Sequence, residues 1–100
     1  MPEFENPFKL KNSDNDISPT TEEIITAIRQ AICLEHGAIA VYKYIADNCK
    51  YDLVARCMRD LANEETVHVG ELTRLIFYLD KNEAKLYQEG AKETEDQLKK

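Results

Sequence analysis

The sequence has no tryptophan and only three residues each of glycine, proline and cysteine in 100. It carries no strand signal, no internal repeat and no glycine-rich phosphate loop. Cys33, Cys49 and Cys57 are an odd number with no C-x-x-C pair. This excludes a disulfide framework and fits a reducing cytosol, with each cysteine serving as a small buried hydrophobe. Basic residues are outnumbered 13 to 19, for a net charge of -6. That argues against nucleic acid as a partner, since phosphate binding wants a basic face. An acidic shell instead concentrates cations. No apolar run approaches the roughly 18 residues of a membrane span, and no signal-peptide core opens the chain. These readings predict a cytoplasmic protein with neither membrane nor nucleic acid as partner.

What is present is helical patterning, and the fold class expected is all-α. Residues 1–19 read as an irregular arm, with Pro2, Pro7 and a polar Lys11–Asp16 run, and with Phe4 and Phe8 pinned onto a neighbouring surface. Ser18-Pro19-Thr20-Thr21-Glu22-Glu23 is a helix start, in which Thr20 and Glu23 make a capping box. The first helix is predicted to run to about Cys49. Lys50-Tyr51-Asp52 is a short connection, with Asp52 as N-cap of a second helix to about Leu79. Asp80-Lys81-Asn82 is a second break, and Asn82 the N-cap of a third helix from Glu83 to about Leu98. Residues 20–80 therefore form a hairpin unit and residues 81–100 a C-terminal helix.

Two helices of about 28 residues are each about 42 Å long, and so short a turn makes them antiparallel. A lone hairpin covers one side of each helix. Off-seam apolar residues such as Val41, Ile45, Val69, Ile76 and Phe77 then call for a partner, and self-association into a four-helix bundle follows.

The predicted seam of the first helix is Ile28, Ile32, Glu35, Ile39, Tyr42, Ala46, Cys49; that of the second is Val54, Met58, Leu61, Glu65, His68, Leu72, Leu75, Leu79. Both step by four and three, the spacing that faces a neighbouring helix. Each is interrupted midway, by Glu35 in one and by Glu65 with His68 in the other. Counted from Tyr51, Glu35 lies about 16 residues before the turn and Glu65 and His68 about 14 and 17 after it, so equal rise puts all three at one height. A buried carboxylate has to be neutralised, paired or bound to a cation. Carboxylates can bridge two hard metals, and imidazole suits iron, manganese or zinc. Against this stands a buried Glu35–His68 ion pair that only sets register. Three ligands are half of the set in a ferritin-like di-metal bundle, which takes a Glu from two helices and a Glu-x-x-His from the other two. A two-fold axis through the site supplies the remainder. Tyr42, two turns from Glu35, either donates a hydrogen bond to a ligand or is core. Glu64 and Glu71 read as solvated flanks, with Glu71 alternatively an entry or extra ligand, and His36 as exposed.

Leu34-Glu35-His36 through Tyr42, then Ala62-Asn63-Glu64-Glu65-x-x-His68, resembles the short ferritin-like proteins related to rubrerythrin and of encapsulated-ferritin type. The opening Met1-Pro2-Glu3-Phe4-x-Asn6-Pro7-Phe8 is similar to the start of short members. The resemblance implies a ferroxidase with a di-iron centre at a subunit interface, ligated by Glu35, Glu65 and His68 with Tyr42 beside them. It also implies a dimer within a decameric ring of dimers, serving iron storage or detoxification as cargo of an encapsulin nanocompartment. Leu34 and Gly37 stand where such proteins carry acidic residues that attract iron. The ending Asp96-Gln97-Leu98-Lys99-Lys100 lacks the apolar tail that docks cargo to a shell. The competing readings are a rubrerythrin-like peroxidase and a non-enzymatic helical oligomerisation module.

Overall fold

The computed structural model describes residues 18–100, so the expected arm lies outside the described residues as far as residue 17. Three helices follow: α1 (Thr21–Asn48), α2 (Asp52–Leu79) and α3 (Lys81–Leu98). Among the described residues there is no strand.

The helix ends follow local chemistry. Thr20 accepts from the Glu23 N–H at 3.1 Å and the Glu23 carboxylate accepts from the Thr20 N–H at 3.0 Å, completing the expected capping box. Cys49 is extended and ends α1. The N-cap of α2 is Tyr51 rather than Asp52, and Tyr51 makes no side-chain cap. Asp52 is already inside the first turn, where its charge complements the helix dipole. The N-cap of α3 is Asp80 rather than Asn82. The Asp80 N–H donates to the Ile76 carbonyl at 2.8 Å, closing α2. Its carboxylate then accepts from the Glu83 N–H at 3.1 Å, opening α3. One extended residue thus serves both helices, so the break is shorter than the expected three residues.

The antiparallel pair α1 and α2, with α3 on its end, makes a flat molecule with overall extents of 54 × 44 × 16 Å. The hairpin is thus a plate one layer of helices thick. α3 packs on the end of α2, held by an edge-on Phe77–Tyr87 ring pair with centroids 5.0 Å apart. A two-pronged Arg29–Glu83 ion pair ties α3 to α1 across 54 residues of sequence. Glu83 holds the Arg29 guanidinium pKa above its ordinary value, chiefly through this hydrogen bonding.

The buried residues revise the expected seam. α1 buries Ala38, Ile39 and Ala46, and α2 buries Ala55, Ala62 and Ile76. On α2 this stripe lies one position round from the expected one: Val54 and Leu75 are exposed, while Ile76, expected to need a partner, is 2% exposed. Both stripes are apolar, so periodicity alone does not choose between them. The alanines let the backbones approach closely, and the larger residues are left on the flank. Cys33 and Cys57 are exposed and Cys49 intermediate, contrary to the expectation of buried thiols. Cys33 is two residues from Glu35, and Cys57 two from Ala55. At about 100° per residue, that turns both thiols away from the helix contact.

One broad face stays open. Helical spacing puts Leu34, Val41 and Ile45 of α1 on the same side of the plate as Leu61, His68 and Leu75 of α2. Val41 is 46% exposed and Leu75 49% exposed. α1 is also long and apolar enough to cross a membrane by length and composition, with little of its apolar stretch buried within the chain. This corrects the expectation that no segment reaches that length. A soluble helix covered on more than one side has the same composition.

Candidate metal centre

Glu35 projects from the middle of α1 toward α2, and Glu65 and His68 come from successive turns of α2. The structure brings all three together: each offers a donor atom, and these atoms lie within 4.8 Å of one another. The His68 Nδ1 is 3.4 Å from a Glu65 oxygen and 3.7 Å from Glu35 Oε2. Equal rise from the turn placed them at one height, and here they meet. His68 is exposed and the two glutamates partly buried, so the cluster opens onto the uncovered apolar face.

One atom decides whether the cluster fits a cation. Glu35 Oε2 is buried and has no hydrogen-bond partner. A buried carboxylate oxygen without a hydrogen bond is costly. A cation among the donors would satisfy it. Two oxygen donors and an imidazole nitrogen suit iron, manganese or zinc, so the residues fit a metal of that kind. A simple ion pair explains the group less well, because His68 sits closer to Glu65 and leaves the Glu35 oxygen without a hydrogen bond.

The same atom yields a stability prediction. In metal-free protein Glu35→Gln is expected to be more stable than wild type by about 1 kcal/mol, because it removes a charge from a buried oxygen that lacks a hydrogen bond. Thermal unfolding at one protein concentration, with a chelator present, should show a midpoint about 4 °C higher. A lower midpoint would mean that the carboxylate earns its place structurally.

Tyr42 is half-buried on α1, seven residues or about 10 Å along the axis from Glu35, and lies outside the donor cluster. His36, Glu64 and Glu71 are exposed, as their positions off the contact predict. Sequence reading passed over Gln30, whose Oε1 is a second buried atom without a partner. The signal was there: it is a lone amide in the apolar stretch between Ile24 and Leu34.

Comparison with known proteins places the fold. The rubrerythrin family model matches residues 26–100, which takes in all three helices nearly entire. The chain belongs to the rubrerythrin family. The crystal structure of the encapsulated ferritin domain from Pyrococcus furiosus superposes with a TM-score of 0.75 at 30% identity, covering 87% of this chain and 93% of that one. The rubrerythrin-family helices of the present chain therefore have a ferritin-like fold. A ferritin-like–encapsulin shell fusion protein of Pyrococcus furiosus is 38% identical over 61 residues, 61% of this chain. The chain spans only 18% of that relative's length.

Proposed function

We propose that this rubrerythrin-family chain is half of a ferroxidase, completed when a second copy covers the open apolar face. The observation that carries this reading is the buried Glu35 oxygen, without a hydrogen bond, within a three-donor cluster that opens onto that face. Pairing about a two-fold axis there sets Glu35, Glu65 and His68 beside the same three residues of the second copy. The six groups are the complete ligand set of a ferritin-like di-metal site. Iron, when bound, supplies the redox change that passes electrons from iron(II) to the oxidant.

The chain's own residues do the rest. Glu35 and Glu65 give anionic oxygen donors that favour the more highly charged ferric state. His68, held 3.4 Å from Glu65, is oriented by that contact. The apolar surround of Leu61, Leu72 and Leu75 excludes bulk water and strengthens the electrostatic pull on a cation. Tyr42 is two turns off, on the same stripe as Glu35, and is proposed as a residue beside the site. The encapsulated ferritin domain and the shell fusion among its relatives support a ferritin-like role as encapsulin cargo; iron storage in the cytoplasm, in a decameric ring of dimers, belongs to the same proposal.

The test is aerobic addition of iron(II) to metal-free protein. A ferric absorbance that grows faster than in buffer is expected. A trace that matches buffer would overturn the proposal. Running the same assay with hydrogen peroxide in place of dioxygen separates the peroxidase reading: turnover with peroxide alone would select it.

A further inference from the structure

We infer a second site, for a small oxyanion, in the elbow between α2 and α3. An open cavity of about 380 Å³ is lined there by Arg74, Phe77, Tyr78, Lys81, Ala84 and Gln88. Two of these are cations and none is an acid, in a chain whose net charge is -6.

The missing counter-charges have a local explanation. Two acids beside the elbow are already engaged, and Glu71, one turn before Arg74, makes no ion pair with it. Asp80 accepts from the Glu83 N–H at 3.1 Å and so caps α3. Glu83 is held by Arg29 of α1. Neither Arg74 nor Lys81 has an acidic partner among the described residues. Lys85 continues the positive edge one turn further along α3, at i+4 from Lys81. The N-terminal end of α3 adds its dipole to the same corner.

The lining has the features of a small-ligand site. Phe77 and Tyr78 make an apolar wall, and Phe77 is fixed by its edge contact with Tyr87. Arg74 offers a planar fork that matches an oxyanion with two parallel hydrogen bonds, and Lys81 a point charge. Gln88 offers an amide to a remaining oxygen. The cavity is also separate from the metal cluster. Arg74 is six residues beyond His68, about 9 Å along α2 and a third of the way round it. A second copy seated on the open apolar face therefore leaves the elbow free. The ligand class is a phosphate or carboxylate of small size.

Calorimetric titration of the full chain, stripped of metal so that no iron competes for the anion, tests this. Inorganic phosphate and malonate are the two probes, each measured against chloride at matched ionic strength. Saturable binding of about one anion per chain is expected, with a dissociation constant of order millimolar. Phosphate alone would identify a tetrahedral ligand, and both together a general oxyanion pocket. Arg74→Gln with Lys81→Gln should weaken binding at least about tenfold. Lys92→Gln with Lys99→Gln removes the same charge further along α3 and should leave it unchanged. Circular dichroism on both double variants checks that the helices persist. Binding that does not saturate, or that survives in the Arg74/Lys81 variant, means solvated surface cations only and overturns the inference.

Discussion

Replacing His68 with alanine is expected to abolish iron(II) oxidation, with the rate falling by more than about a hundredfold. The estimate starts from the smaller effect of removing a group that only supports a ligand, which costs about 10- to 100-fold. His68 is the single nitrogen donor of the cluster, and no other residue of the cluster can replace it. Glu65→Ala should do the same, because it removes both an oxygen donor and the carboxylate 3.4 Å from the His68 ring. Neither change should unfold the chain. The His68 side chain is about half exposed, so its loss opens no cavity in the helix contact. His36→Ala is the control, since that histidine is exposed and outside the cluster. Stopped-flow absorbance of the three variants with wild type is the measurement. Equal rates in wild type and His68→Ala would remove the metal centre from the account.

Leu75→Lys is expected to turn the assembled protein into a folded monomer that no longer retains metal. Leu75 is 49% exposed in the single chain, and nothing in the hairpin itself depends on covering it. Full burial of such a side chain stabilises by about 2 kcal/mol. A two-fold axis makes every substitution count twice, and a lysine introduces a charge that has to be desolvated on docking. The association constant should fall by at least about a thousandfold. Light scattering would report half the mass of the smallest wild-type unit or less, with helix content unchanged. Metal analysis after gel filtration should show iron retained at under about a tenth of the wild-type level. A Leu75→Lys protein that keeps its mass would mean that the copies pair through another face.

The level of the cluster was legible in the sequence for a simple reason. Rise per residue is nearly constant in a helix, so counting outward from Tyr51 places Glu35 opposite Glu65 and His68 without knowledge of any contact. The capping box at Thr20 was equally legible, because both of its hydrogen bonds run between residues three apart. The caps at Asp52 and Asn82 were misplaced by one and two residues. Several polar residues lie together at each turn, and the winner depends on where the preceding helix releases its last carbonyl. The buried cysteines failed for the opposite reason: thiol chemistry says nothing about which way a helix is rolled.

Three facts had no signature in the pattern. The first is the use of Ala55, Ala62 and Ile76 as the α2 contact in place of Val54, Leu61 and Leu75. Close approach of two backbones is a property of the pair, and it favours small residues over larger ones. The second is the bond between Arg29 and Glu83, whose partners are 54 residues apart. That bond engages the acid of α3 nearest Lys81 with Arg29 of α1. The third is that the buried Glu35 oxygen has no hydrogen bond, since the partners of one atom depend on every neighbour in space.

The sequence by itself determined three helices, an antiparallel hairpin, and the shared height of Glu35, Glu65 and His68. These follow from caps, rise and periodicity, which act over a few residues. Only the tertiary structure decided which apolar stripe the hairpin keeps for itself and which it leaves open. Roll about the helix axis is set by the distance between two chains of atoms, and the alanines allow that distance to be short. The open stripe carries His68 at its centre, and so the open apolar face is also the mouth of the candidate metal centre.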